Sequence, residues 1–351
     1  MKMFRFTVTL VHLALIIAAI LPGSAYGELV YACWDDVYVI DMARGELIGK
    51  IAVGARINDL EVTGDGSLLA ASPKGLHFID ADRLEVRETK PLGILDSIEY
   101  DKAEDLLYVL HHPGDDPNES SGPHTLLKLS GRDCRELGRA GLEPWVFDIF
   151  LDPPGDFIYV TQMAGRSVKR FATENMKEHE SLWFGDTGGW EGRMVLTRHL
   201  AFGKSGSPVY ALEQSEEGKA CIWSYRAENG EKQRNCLGRD TMVQGMVVSP
   251  DGSSIYLNGV YELVTAGTAG GEKRRTSLDC EHRWIAMGEG GSALYLTGTL
   301  GEKEGCVTMT DSTGSVVKVV KVPSPLNIIK VGPRREASAE EAKSPGRREM
   351  H

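Results

Sequence analysis

Aromatic residues make up only 7% of the 351, so large rings cannot fill the core throughout, and each prominent Trp or Tyr marks a position of interest. Bases are also in deficit, 39 against 50 acids, for a formal charge of −11. A chain with that balance repels phosphate instead of releasing counterions from it, which argues against a nucleic-acid partner. No CxxC pair occurs, so the usual zinc and thioredoxin-type chemistries have no signature here. The GxSxG elbow, a Gly-rich phosphate loop and HExxH are missing as well. Beyond residue 27 no apolar run is long enough to cross a bilayer as a helix. What is abundant is glycine, with 40 Gly beside 15 Pro. These glycines follow no three-residue period, which excludes collagen, and so many of them would weaken a helical bundle. With 42% hydrophobic residues the chain can still bury a core, and disorder is excluded for its main part. A turn-rich all-β protein remains.

Residues 1–27 carry the pattern of a secretory signal peptide. Lys2 and Arg5 precede an apolar stretch from Val8 to Leu21, broken only by Thr9 and His12. Small Ala25 and Gly27 then occupy the −3 and −1 positions of a cleavage site before Glu28. The competing reading, an uncleaved anchor, needs ~20 apolar residues and the stretch falls short of that. Cleavage removes two positive charges, which takes the balance from −11 to −13, and delivers the product to the periplasm or the extracellular space with no membrane span. In an oxidising compartment the six cysteines become disulfide candidates.

One unit recurs along the rest of the chain: an apolar strand, a Gly/Asp/Ser turn, a strand centred on Tyr, and two further strands. Gly245-Met246-Val247-Val248-Ser249-Pro250-Asp251-Gly252-Ser253 followed by Ser254-Ile255-Tyr256-Leu257 shows it best. The central strand positions are Tyr31, Leu69, Tyr108, Tyr159, Tyr210, Tyr256 and Tyr295, spaced by roughly 40–50 residues, the length of a four-stranded propeller blade. The spacing therefore predicts a seven-bladed β-propeller over residues 28–333. Glu28–Val53 supplies three strands without a first one, and Leu326–Val331 supplies a strand without a blade. Joining the two closes the ring and removes a sheet edge. Residues 334–351 read as a disordered charged tail.

Val37-Tyr38-Val39-Ile40-Asp41, followed by Gly45 to Gly54, resembles a YVTN-type propeller repeat, as does Ile158-Tyr159-Val160-Thr161-Gln162. The resemblance covers nearly the whole exported chain through structural motifs. It implies kinship with exported YVTN-repeat proteins and with the large propeller subunits of amine dehydrogenases, and a fold similar to that of the seven-bladed lactonases.

A propeller gathers convergent side chains at the mouth of its central channel. Aligned on their turns, the first strands place Asp59, Ser97, Asp148, His199, Gly245, Trp284 and Asn327 in one column. Asn58, Asp96, Phe147, Arg198, Gln244, Arg283 and Leu326 form the column before it, and Leu60, Ile98, Ile149, Leu200, Met246, Ile285 and Ile328 the apolar column after it. Asp59, Asp96, Asp148, Arg198, His199, Arg283 and Trp284 are the expected ligand-binding set, weighed against ordinary solvated or blade-bridging polar groups. The insertion from His111 and His112 to His124 has metal-compatible residue types but no repeated ligand spacing, so it reads as a solvated loop and no metal is expected. The same loop carries the sequon Asn118-Glu119-Ser120. Trp183 and Trp190, in a Gly-rich connection, are expected with His111 and His112 to contact a partner, stacking on a sugar or anchoring a protein; packing between unequal blades explains them equally.

Cys221 and Cys236 flank an Asn229-Gly230 hairpin at matching levels, so they are a plausible disulfide pair. Cys280 with Cys306, placed in neighbouring blades, is the second pair considered, while Cys33 and Cys134 fall on opposite faces. The functional expectation is an exported binding or scaffold module that engages a protein or saccharide through the channel mouth, without a cofactor or catalysis of its own. The alternatives are a cofactor-free subunit of an amine-dehydrogenase-like complex, and a lactonase-like hydrolase assembled from Asp59, Asp148 and His199.

Overall fold

The computed structural model describes residues 28–112, 114, 122–162, 167–183, 199–214, 220–237 and 242–333. They form seven four-stranded antiparallel sheets arranged as the blades of a propeller. Blade one combines Ile328–Pro333 with Glu28–Cys33, Asp36–Asp41 and Glu46–Ala52. Blades two to four begin with inner strands Asp59–Val62, Ile94–Asp101 and Val146–Leu151. Blades five to seven begin with Leu200–Phe202, Val243–Val248 and Glu281–Met287.

The recurrent turn has a common cause. Gly66, Gly155, Gly206, Gly252 and Gly291 each donate their N–H to the carbonyl three residues earlier. All five have positive φ, between 69° and 81°, which glycine adopts without the clash a Cβ would bring. The seven Tyr-strand positions are all buried, and each blade–blade interface holds its own apolar cluster. The core is therefore a ring of seven packed interfaces around a channel.

The ends close that ring. Ile328–Pro333 pairs antiparallel with Glu28–Cys33, from Glu28 opposite Pro333 to Cys33 opposite Ile328. Leu326, Ile328 and Ile329 are all but fully buried. Three of the outer strands are strongly polar: Glu85–Lys90, Glu231–Cys236 and Glu272–Ser277 carry EVRETK, EKQRNC and EKRRTS. Charge on an exposed sheet edge discourages edge-to-edge association.

Blade one departs from the expected register by one residue. Lys330 lies opposite Tyr31, as Glu61 lies opposite Leu69 and Glu99 opposite Tyr108. Ile328, not Asn327, thus stands level with Asp59, and Asn327 takes the place assigned to Leu326, which packs between blades seven and one. Strand pairing sets this level, and turn-based alignment cannot reach a strand that no turn joins to its partner.

Candidate functional site

The inner strands of blades three, four, six and seven share an irregularity at their entrance. Asp96, Phe147, Gln244 and Arg283 are each skipped in the pairing of their strand. Such a β-bulge bends the strand and re-aims a side chain. Asn58 and Asn327 fill the same place in blades two and one, donating their N–H groups to the carbonyls of Ala71 and Cys33. All six of these side chains line the channel mouth. The bulges are what turn the rim residues into a binding surface.

Two adjoining cavities occupy the mouth. One, of about 320 Å³, is lined by Asp59, Asp96 and Asp148, by His112 and His124, and by Trp145, Phe147 and Trp284. The other, of about 680 Å³, contains His199, Gln244, Tyr261, Arg283 and, shared with the first, Phe147, Trp284 and Asn327. Six of the seven mouth residues expected from sequence thus face one opening; Arg198 lies outside the described residues. His199 meets Trp284 edge-on, with ring centroids 5.8 Å apart.

The loop residues divide. His112 and His124 are buried, with ring centroids 5.0 Å apart, and His124 Nε2 is 3.2 Å from Asp96 Oδ2. They are wall residues, which corrects the solvated-loop reading for these two. His111 is only half buried and its pKa is lowered by burial and by His112. The sequon and Trp190 lie outside the described residues, as do residues 1–27 and 334–351. Trp183 ends the outer strand of blade four, opposite Ser167.

Below the rim, Asp59, Ser97 and Asp148 bridge blades two, three and four. Ser97 Oγ lies 3.0 Å from Asp59 Oδ2 and 2.5 Å from Asp148 Oδ1. Asp59 also accepts the N–H groups of Leu60 and Ile98, and Asp148 that of Ile149. A hydroxyl has one proton, so with two carboxylates beside it one contact is complete only when a carboxyl group is protonated. Asp148 is suited to that role: burial and the Asp59 charge push its pKa up to about 7, against the opposing hydrogen bonds from Ser97 and Ile149.

Two positions farther along the strands stand residues that sequence reasoning did not single out. Lys330 donates to Glu61 across blades one and two. Burial acts to lower the Lys330 pKa, but the charges of Glu61, Asp59 and Glu99 lift it above its ordinary value. Glu99 is raised well above the carboxylate range by burial and by Glu61. The available signal was an acid two residues after Asp59 and after Ser97, in strands otherwise apolar.

Both expected disulfides form. Cys221 and Cys236 are register partners in blade five. Cys280, in the connection entering blade seven, joins Cys306 on that blade's third strand, so the bond fixes an entry segment to its own blade and does not tie two blades. Cys33 and Cys134 are free. Two disulfides accord with an oxidising, extracellular or periplasmic environment. Among the described residues no helix is long and apolar enough to cross a membrane.

No protein-family model matches the chain, and no curated protein does. Solved structures do resemble it. A hypothetical selenium-binding protein from Sulfolobus tokodaii shares 13% identity with a TM-score of 0.69, covering 88% of this chain and 94% of its own. Hydrazine synthase of Kuenenia stuttgartiensis shares 15% identity with a TM-score of 0.61, over 75% of this chain and 86% of its own. A functionally unknown protein from Desulfotomaculum acetoxidans shares 13% identity with a TM-score of 0.65, over 86% and 98%. At such identities the likeness is one of fold. The seven four-stranded blades fit the YVTN-type resemblance.

Proposed function

We propose that this chain is an exported binding module whose channel mouth takes a saccharide. The observation that carries the reading is the convergence of Trp145, Phe147 and Trp284 with Asp59, Asp96 and Asp148 on one cavity. Aromatic faces stack on the apolar face of a sugar ring, and carboxylates accept its hydroxyl protons. The cavity lies within the size range of small-molecule sites. Trp145 supports the reading further: it is 47% exposed and its φ is 69°, a left-handed backbone that costs a non-glycine residue about 1–3 kcal/mol and is concentrated at functional sites. Export through residues 1–27 belongs to the same proposal and rests on the leader pattern.

A glycan panel screened by intrinsic tryptophan fluorescence and calorimetry tests it. The expected result is a ligand whose affinity falls at least tenfold in Trp145→Ala and in Trp284→Ala. Absence of any glycan binding, or binding that survives the double change, overturns the reading.

A further inference from the structure

Blade seven holds a second cluster that the mouth reading does not use. His282 is fully buried. Its Nε2 is 2.9 Å from Thr308 Oγ1 and 4.0 Å from Cys306 Sγ, while its Nδ1 has no hydrogen-bond partner. Nε2 is thus the ring nitrogen that faces the cystine sulfur. Cys280 stands two residues earlier, and the ligand-type atoms of Cys280, His282 and Cys306 all lie within 4.8 Å of one another. The middle strand is cleared for this approach. Gly298 pairs with His282 on one side and Cys306 on the other, and a Cβ there would collide with the Glu281 carbonyl.

We propose that reduction of the Cys280–Cys306 bond converts this cluster into a site for a thiophilic d10 cation, ligated by Cys280, His282 and Cys306. A dithiol reductant supplies two electrons and two protons to the cystine, giving two cysteine thiols and its own cyclic disulfide. Each thiol then releases its proton to solvent as its sulfur binds the metal. Ligand atoms on one tetrahedral zinc are about 3.3–3.8 Å apart, given bonds of about 2.0–2.3 Å, so Nε2 and Cys306 Sγ, 4.0 Å apart, need to approach by only a few tenths of an ångström. Two thiolates and a neutral imidazole neutralise Zn(II), which suits an interior position, whereas Cu(I) leaves one negative charge but accepts three soft ligands. The bonded form of the pair has no thiolates, so the site is gated by redox state.

The test uses the protein with Cys221→Ser and Cys236→Ser, which removes the other cysteine pair. After reduction by dithiothreitol and anaerobic desalting, it is titrated with Co(II). The expected result is a near-ultraviolet thiolate-to-cobalt band that saturates at one equivalent and is displaced by Zn(II). In a parallel arm, Cu(I) is competed against a chromophoric chelator, which distinguishes the two ions. Cys280→Ser and His282→Gln are each expected to weaken binding at least a hundredfold, with circular dichroism confirming that the blades persist. If His282→Gln fails to fold, His282→Asn takes its place. No band after reduction, an undiminished band in the His282 or Cys280 variant, or an equal band without reduction overturns the proposal.

Discussion

Asp148 shows how a single side chain acquires its properties from the blades around it. Its carboxyl is close to Asp59 and bonded through Ser97, so ionisation is opposed by burial and by like charge, and the pKa rises to about 7. Between pH of about 4 and 7 the unfolded chain has lost this proton and the folded chain keeps it. Stability should therefore fall as pH rises through that window, by at most about 1.4 kcal/mol per pH unit from this one group. Asp148→Asn preserves shape and acceptor while removing the titration. Its urea midpoint is expected to depend less on pH between 5 and 7 than that of the unmodified protein; parallel curves for the two would show that Asp148 is ionised throughout. Because Lys330 is held by Glu61 on the adjacent blade, Lys330→Met should be more harmful alone than with Glu61→Gln, the usual behaviour of a broken buried pair. A double-mutant cycle on unfolding free energy measures it.

At the scale of the strand, the β-bulge and the cross-strand disulfide do most to distinguish one blade from another. The bulges at Asp96, Phe147, Gln244 and Arg283 place one extra side chain each at the mouth without altering the blade behind it. The Cys221–Cys236 bond closes a 15-residue separation, which by loop entropy stabilises by about 3 kcal/mol. It ties the exposed outer strand of blade five to the buried third strand. Cys221→Ala with Cys236→Ala is expected to lower stability by about 2–3 kcal/mol, and faster hydrogen exchange should be confined to Ala220–Cys236. Exchange that speeds up uniformly around the ring would show that the bond supports the whole propeller instead.

On the scale of the molecule, closure by Ile328–Pro333 is decisive. Without it blade one would present the unpaired inner edge of Glu28–Cys33 and lose the burial of Leu326, Ile328 and Ile329. At roughly 1.5–3 kcal/mol per fully buried aliphatic side chain, that loss approaches the whole stability of a typical domain. A chain ending at Val322 is therefore expected to unfold or aggregate. Adding a peptide of residues 323–333 in excess should restore a cooperative thermal transition. A truncated chain with an unchanged transition would mean that six blades and three strands suffice.

By itself, the order of residues determined the number of blades, the glycine turn that recurs in five of them, the closure between the two ends and the Cys221–Cys236 pair. These follow from local chemistry: glycine in a left-handed turn, Tyr and Val in pleated strands, and a hairpin that brings two cysteines level. It also indicated most of the rim, since Asp59, Asp148 and Trp284 sit at fixed offsets from their turns. The tertiary structure decided what depends on pairing between distant segments. The register of Asn327 is set against Cys33, nearly three hundred positions earlier. Glu61, Glu99 and Lys330 become one charge-coupled cluster only when blades one, two and three stand side by side. Cys280, His282 and Cys306 meet because Gly298 leaves room between their strands. Propensity acts along the chain and was legible there, whereas burial, desolvation and charge coupling act across the ring and appear only once it has closed.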